Sequence, residues 1–273
     1  MIYLIRTVLI ALCLTILSAV SFVSAQKKVD CLNSSEFLND NSDRFLGSWT
    51  GLVDEIQIVE KKFDDTGKSF ETRMTLRVTN DGRLAETFLS NARIPVFGRH
   101  VYAYDTHGRL VKRTSYNPDG SAVLEDIYFY NPTGNLLKKH TQNAKSRVVI
   151  GSKQEFRYQG ADIYSEYSDG KFVREVQVTR DDQCRIIKSL LLKNDGKLEN
   201  TLTMKFDDHG NLVEQIVESP TGKEIEKSKY EYDYDNRLNW IKKRFFEWHY
   251  WDQTDKYMLT SEETRSITYI EPR

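Results

Sequence analysis

Turn residues recur along this chain at a nearly fixed interval of about 26 residues, which is the signature of a repeat protein. The main turn positions are Gly82, Gly108, Gly134, Gly160, Cys184, Gly210 and Asn236. A second set lies between them, at Gly120, Gly170, Gly196 and Gly222. Two turns in each period leave room for two strands of about 7–9 residues. The pattern therefore predicts an all-β chain of tandem antiparallel β-hairpins.

One irregular spacing supports this prediction. Gly160 and Gly170 lie closer together than Gly108 and Gly120 do, by a pair of residues. Side chains alternate between the two faces of a strand, so the loss of a pair keeps every later side chain on its own face. The loss of a single residue would instead turn the buried side chains outward.

Apolar residues occupy fixed columns beside the main turns. The column before the turn holds Val78, Tyr104, Tyr130, Phe156, Arg180, Phe206 and Tyr232, and the column after it holds Leu84, Leu110, Leu136, Asp162, Ile186, Leu212 and Leu238. Even offsets from the turn place both columns on one face, where neighbouring strands stack them into ladders. Gln154, Asp162 and Arg180 break the columns. The repeat that contains Gly160 and Cys184 is therefore either the weakest unit or one adapted to another purpose.

The number of repeats sets the expected architecture. About fourteen strands in one meander exceed the ~10 that an open twisted sheet usually tolerates, so we expect one long sheet that is rolled or twisted. It forms a single domain over residues 51–273. Asp-Gly pairs at 81–82, 119–120, 169–170 and 195–196 predict tight primed turns. The segment from Asp105 to Gly108 predicts a longer turn that starts with an Asx-type hydrogen bond.

The N-terminus has the three parts of a secretory signal peptide over residues 1–25. Arg6 supplies the early charge, an apolar run follows, and Val23-Ser24-Ala25 is a small-residue cleavage site. A membrane anchor is the alternative, but the apolar run is short for a span. We therefore expect export to the periplasm, the cell surface or the medium, with no integral span after cleavage. Residues 26–50 form an N-terminal cap, in which Ser34–Phe45 has a weak helical pattern.

Two cysteines, Cys31 and Cys184, follow the signal peptide. An exported protein with two cysteines can pair them, although two free thiols are the alternative that sequence leaves open. Cys184 also stands where most repeats have glycine, which predicts a positive φ there. A non-glycine residue in that conformation is strained, and a disulfide would compensate for the strain.

The charge of the chain is nearly balanced. It carries 39 Lys plus Arg against 40 Asp plus Glu, and the formal net charge is −1. Such a chain has no long-range field to attract nucleic acid or an anionic membrane. Nucleic acid is therefore excluded as the expected partner.

The segments YAYDTHGRLVKRTSYNPDG, MKFDDHGNLVEQIVESPTG and YEYDYDNRLNWIKK resemble the YD-repeat, or RHS-repeat, proteins. Tyr104, Asp105, Gly108, Arg109 and Leu110 match the family signature in full. The resemblance covers roughly residues 74–245. It implies a short exported bacterial envelope protein with a scaffold or binding role. The chain is too short to enclose the C-terminal toxin of the large members, so toxin delivery is not implied.

No sequence motif indicates catalysis, a metal or a cofactor. His107 and His209 each precede a turn glycine, but they lie four repeats apart and are too distant to share a metal. The acidic pairs in the turns supply too few ligands for calcium. Glu125 and Asp126 are adjacent on a strand and face opposite ways, which makes them poor partners for glycoside hydrolysis. We therefore expect a protein that is not an enzyme.

Residues 240–251 hold an unusual density of aromatic side chains, namely Trp240, Phe246, Trp248, Tyr250 and Trp251. One interpretation is a terminal cap that seals the end of the array. The other is an aromatic platform that binds a glycan or peptide.

The sequence as a whole favours an exported, non-enzymatic repeat scaffold that binds a protein or polysaccharide at the cell envelope. An outer-membrane β-barrel is the main alternative, and a carbohydrate-active enzyme is a less favoured one. Barrel strands need an apolar lipid-facing band. The mean hydropathy of −0.57 and the polar residues Gln154, Asp162 and Arg180 do not suit such a band.

Overall fold

The computed structural model describes residues 51–64, 66–79, 81–91, 98–160, 162–249 and 256–270, all of them strands and turns. The strands are β1 (Val53–Phe63), β2 (Ser69–Val78), β3 (Leu84–Asn91), β4 (Gly98–Tyr104), β5 (Leu110–Tyr116), β6 (Ala122–Tyr130), β7 (Leu136–Asn143), β8 (Val149–Tyr158), β9 (Ile163–Ser168), β10 (Lys171–Arg180), β11 (Ile186–Leu192), β12 (Leu198–Phe206), β13 (Leu212–Glu218), β14 (Glu224–Tyr234), β15 (Trp240–His249) and β16 (Lys256–Tyr269). The predicted signal peptide, N-terminal cap and helix at Ser34–Phe45 lie outside the described residues.

Each strand pairs antiparallel with the next one along the chain, and β1 pairs with β16. The predicted all-β antiparallel meander is confirmed. The expected open sheet, rolled or twisted, is wrong in one respect, because the sheet closes into a barrel of 16 strands. Closure satisfies the hydrogen-bonding groups that two free edge strands would expose.

Most main turns share one geometry, but Gly160 is the second residue of its turn rather than the fourth, since the Gln159 N–H donates to the Ile163 carbonyl. The Asp105 N–H donates to the Arg109 carbonyl at 2.9 Å, and the Gly108 N–H donates to the Asp105 carbonyl at 3.0 Å. Gly108 has a φ of 80°. The Asp105 carboxylate accepts hydrogen bonds from the backbone N–H groups of His107 and Arg109, as the Asx-type prediction required. These contacts define a three-residue hairpin loop that ends in a residue with left-handed conformation.

The prediction of primed turns holds at one of four Asp-Gly pairs. Asp169 and Gly170 both have positive φ, at 49° and 75°. At 81–82, 119–120 and 195–196 only the glycine has positive φ, so primed turns are wrong there. These three loops contain one residue more than a two-residue hairpin turn, which moves Asp out of the position that needs positive φ.

The last repeat corrects the assigned turn position. Leu238, not Asn236, takes the place of the turn glycine, with a φ of 63° and an N–H bond to the Asp235 carbonyl. Leu238 is 57% exposed, and Trp240 at 2% takes the buried position that the sequence assigned to Leu238. The pairing of Tyr234 with Trp240 matches that of Tyr104 with Leu110. The shift is a pair of residues, so the faces of later side chains are unchanged.

The buried core lies on the inner face of the barrel. Ile56 pairs with Leu76 and with Ile267, and the same row continues around the sheet. The tyrosine column has a second role, because its hydroxyls donate to backbone carbonyls of the preceding repeat. These bonds join Tyr104 to Leu84, Tyr130 to Leu110, Tyr158 to Leu136 and Tyr232 to Leu212.

The two ends of the barrel differ inside. The apolar end is the end at the main turns, where inward side chains are almost fully buried: Ile56, Leu76, Leu84, Leu110 and Leu136. The polar end carries the other turns, around Gly67, Gly120, Gly170, Gly196 and Gly222. Toward that end, charged and polar side chains face inward. The inward side chains at the apolar end are therefore shielded from water.

Candidate binding sites

Ion pairs between neighbouring strands lie on the outer face of β1–β6 and β12–β16. Arg77 joins Glu55 at 3.9 Å and Glu86 at 3.5 Å. Further outward pairs are Lys112 with Glu125, Arg99 with Glu86, Lys205 with Glu214, Lys242 with Glu262 and Arg244 with Asp233. On β1 and β2 the outward rows are Glu55, Gln57, Val59 and Lys61, and Arg77, Thr75, Arg73 and Glu71. This surface suits contact with water.

An aromatic group lies on the same outer face near the polar end. Phe246 pairs with Leu259, and Trp248 pairs with Tyr257, across β15 and β16. We call these four residues the outer aromatic surface. On the other side of β15, the Lys227 ammonium lies 4.9 Å from the Trp248 ring centroid, and Lys229 lies 6.0 Å from that of Phe246.

The charges beside the outer aromatic surface are already neutralised. Lys229 pairs with Glu231 at 2.8 Å, and Lys227 pairs with Glu224. Burial raises the pKa of Tyr257, which keeps its hydroxyl neutral. The surface therefore offers aromatic rings and paired charges rather than a net charge of either sign.

The structure separates the residues of the predicted aromatic platform. Phe246 and Trp248 share the outer face, whereas Trp240 points inward and belongs to the core. The Arg265 guanidinium lies 3.1 Å from the Trp240 ring centroid, and Tyr232 packs against the same ring at 6.0 Å. A platform that includes Trp240 is therefore wrong.

Tyr250 and Trp251, the other two members of the predicted platform, lie outside the described residues. Tyr257 and Leu259 were missed by the sequence analysis, because only the pairing of β15 with β16 brings them beside Trp248 and Phe246. An alternation of Tyr257 and Leu259 after the aromatic run was the available signal.

Charged side chains also face inward, as buried ion pairs. The Arg113 Nε donates to Asp126 at 2.8 Å, and the Arg174 Nη2 lies 2.7 Å from Glu166. Lys243 pairs with Glu263 in the same way. Buried pairs are weak contributors to stability, because each charge loses its hydration. Groups of this kind are candidates for functional sites.

Burial shifts the ionisation of two of the inner groups. Burial raises the pKa of the Glu166 carboxyl, although the adjacent Arg174 opposes that change. Burial likewise lowers the pKa of Arg265 to about 9.

The predicted turn and cysteine positions have definite conformations. Positive φ angles occur at Gly82, Gly108, Gly120, Gly134, Gly160, Gly170, Gly196, Gly210 and Gly222. Cys184 has a φ of 64° and is disulfide-bonded. Its partner lies outside the described residues, so the pairing with Cys31 stays a prediction.

Within the described ranges, no group of three or more His, Cys, Asp or Glu side chains could hold a metal ion. No helix there has the length and apolarity to cross a membrane.

The comparisons with known proteins indicate a fold and little more. The family described as "Protein of unknown function (DUF2963)" matches residues 100–142, which span the hairpins from β4 to β7. A porin-like protein from Bacteroides uniformis is similar in structure, with a TM-score of 0.52 and 13% identity, over 81% of this chain and 99% of that one. At this identity the likeness shows the fold alone. No curated protein sequence matches significantly.

Two weaker structural neighbours carry no argument about function. The Tc holotoxin pore of Photorhabdus luminescens, which contains TccC3, has a TM-score of 0.30 and 12% identity over 70% of this chain and 12% of that one. A LolA superfamily protein from Nitrosomonas europaea has a TM-score of 0.31 and 8% identity over 92% of this chain and 96% of that one. The RHS-repeat resemblance stays a prediction.

Proposed function

We propose that this protein is an exported, non-enzymatic closed barrel that stays in the aqueous part of the cell envelope and binds a protein or polysaccharide. The observation that carries the proposal is the outer face, where cross-strand ion pairs such as Arg77 with Glu55 and Lys242 with Glu262 lie on β1–β6 and β12–β16. A charged side chain on a lipid-facing strand costs about 2–4 kcal/mol near the bilayer midplane. Water is therefore the better neighbour for this surface.

An outer-membrane barrel is the second candidate. The likeness to the porin-like protein supports it over an open scaffold, because the two folds match over 81% of this chain and 99% of that one. That likeness is also compatible with an envelope location. The apolar end weighs against an open channel, because Leu76, Leu84 and Leu110 are buried inside the barrel there.

Purification without detergent separates the two candidates. We expect residues 26–273, exported to a bacterial periplasm, to be recovered as a soluble, monomeric, β-rich protein in size-exclusion chromatography and circular dichroism. Recovery only from the membrane fraction with detergent would support the outer-membrane candidate and contradict the proposal.

The outer aromatic surface is the proposed contact region. Its side chains form one group on the outer face, and the neighbouring lysines are already paired, so a neutral or weakly charged partner fits it best. We expect Trp248→Ala to lose retention on insoluble envelope polysaccharides or on an envelope protein extract. Phe172→Ala is the matched control, since Phe172 lies on the outer face of β10 against Tyr167. Equal retention of both variants would contradict this assignment.

A further inference from the structure

At the polar end, the repeat that contains Gly160 has polar inner side chains that water can reach. Gln154 pairs with Ser168, and Ser168 pairs with Lys171, so the three side chains lie side by side on the inner faces of β8, β9 and β10. Gln154 and Lys171 are exposed, and Ser168 is half-buried. In the sequence columns Gln154 replaces the aromatic or aliphatic residue of other repeats. We call these three residues the polar path, and Gln154 stands where other repeats bury an apolar side chain.

A buried ion pair lies one step deeper on the same inner face. Arg174 pairs with Glu166 across β9 and β10, and only 4% of Arg174 is exposed. Val176 and Tyr164, one step further in, are buried apolar and aromatic residues. Exposure therefore falls steadily from Lys171 to Arg174, and the guanidinium lies at the base of the polar path.

Arg174 has an unused hydrogen-bond donor. Its Nη2 donates to Glu166, but its buried Nε has no acceptor among the described residues. A buried N–H without an acceptor is costly, and a guanidinium presents its N–H groups as a planar fork that matches the paired oxygens of carboxylate and phosphate. This donor needs a partner that the described protein does not supply.

We propose that Arg174 is the base of a binding site for a small oxyanion, a carboxylate or a phosphate, which enters at the polar end past Gln154 and Lys171. The Arg174 Nε–H donates to an oxygen of the ligand, and Lys171 attracts the anion at the entrance. Glu166 opposes an anion, but burial raises the pKa of its carboxyl and so weakens that repulsion. Lys139, which pairs with Gln154 on the inner face, adds a further positive charge.

Isothermal titration of the purified protein with inorganic phosphate tests the proposal, and acetate serves as a competitor. We expect saturable phosphate binding that acetate weakens, because both anions present paired oxygens. Arg174→Gln should reduce the affinity by about tenfold or more, which corresponds to one lost charge-assisted contact. Arg157→Gln is the matched control, since Arg157 belongs to the same repeat but faces outward over the Tyr167 ring.

Each outcome of these titrations either supports or overturns the proposed anion site. Absence of phosphate and acetate binding to the wild-type protein overturns the proposal, and so does unchanged phosphate affinity in Arg174→Gln. If that variant does not fold, Lys171→Gln replaces it, because Lys171 is exposed and its loss leaves the interior intact. A several-fold weaker phosphate affinity in Lys171→Gln supports the site, and an unchanged affinity contradicts it.

Discussion

The two ends of the barrel are built from the same hairpins but are filled by different chemistry. At the apolar end, leucines and aromatic side chains repeat in register, and the tyrosine hydroxyls bond to the preceding repeat. Toward the polar end, the inner face carries ion pairs such as Arg113 with Asp126 and Arg174 with Glu166. One repeat unit can therefore supply both a uniform structural end and a variable end that is free to acquire a binding role.

Removal of one member of an inner ion pair tests the polar side of the comparison and has the largest expected effect. Asp126 accepts hydrogen bonds from Arg113 and Thr141 in a buried position. Asp126→Ala should lower the free energy of unfolding by about 3–5 kcal/mol, because it leaves the Arg113 charge buried and unpaired.

A double variant is the control for this measurement. Replacing the pair together, as Arg113→Leu with Asp126→Leu, should recover most of the loss in urea unfolding. If the double variant is as unstable as Asp126→Ala, the pair has a structural role at the polar end.

Two neighbouring leucines test the apolar end, with a slightly smaller expected effect. Leu136 is 1% exposed on the inner face, and Leu137 beside it is 41% exposed. Leu136→Ala should cost about 2–5 kcal/mol of unfolding free energy, through lost burial and a residual cavity. Leu137→Ala should change stability by less than about 0.5 kcal/mol. Equal thermal midpoints for the two variants would refute the assigned inner face.

Cys184 tests how the apolar end is tied to the rest of the chain. Loss of a disulfide typically costs about 2–5 kcal/mol, and glycine relieves roughly 1 kcal/mol of backbone strain at this positive φ. Cys184→Gly should therefore destabilise the oxidised protein by about 1–4 kcal/mol. Under reducing conditions the sign should reverse, and the variant should exceed the wild type slightly. Mass spectrometry of non-reduced peptides should show Cys184 joined to Cys31; a different partner would correct the predicted pair.

Leu238 gives the smallest expected effect, in the opposite direction. It occupies a glycine position with a φ of 63°, and its side chain is exposed. Leu238→Gly should raise the unfolding free energy by about 0.5–1 kcal/mol, because glycine adopts this conformation without strain. Leu238→Ala keeps the strain and should show no such gain in thermal unfolding. A stabilised alanine variant would point to a cause other than backbone conformation.

The sequence by itself determined the repeat, the strands and the inner columns. Alternation with a period of two is local, so Tyr104, Leu110 and Leu136 could be assigned to one buried face without knowledge of the fold. The turn near Gly160 was assigned two residues too early, because Tyr158 pairs with Tyr164 as Tyr104 pairs with Leu110. The position of the last turn was harder to predict, since Asn236 and Leu238 lie in the same loop and either residue could close it.

Closure of the sheet and the set of residues on each surface depend on the tertiary structure. Pairing of β1 with β16 joins residues at opposite ends of the described chain, such as Val53 with Tyr269, and no local pattern specifies such a contact. The same pairing of distant strands placed Trp240 inside and Trp248 outside, and it put Tyr257 beside Trp248. Side-chain alternation is a property of a single strand, whereas a binding surface is a property of several strands together. For that reason, the sequence predicted the repeat unit and the structure located the candidate sites.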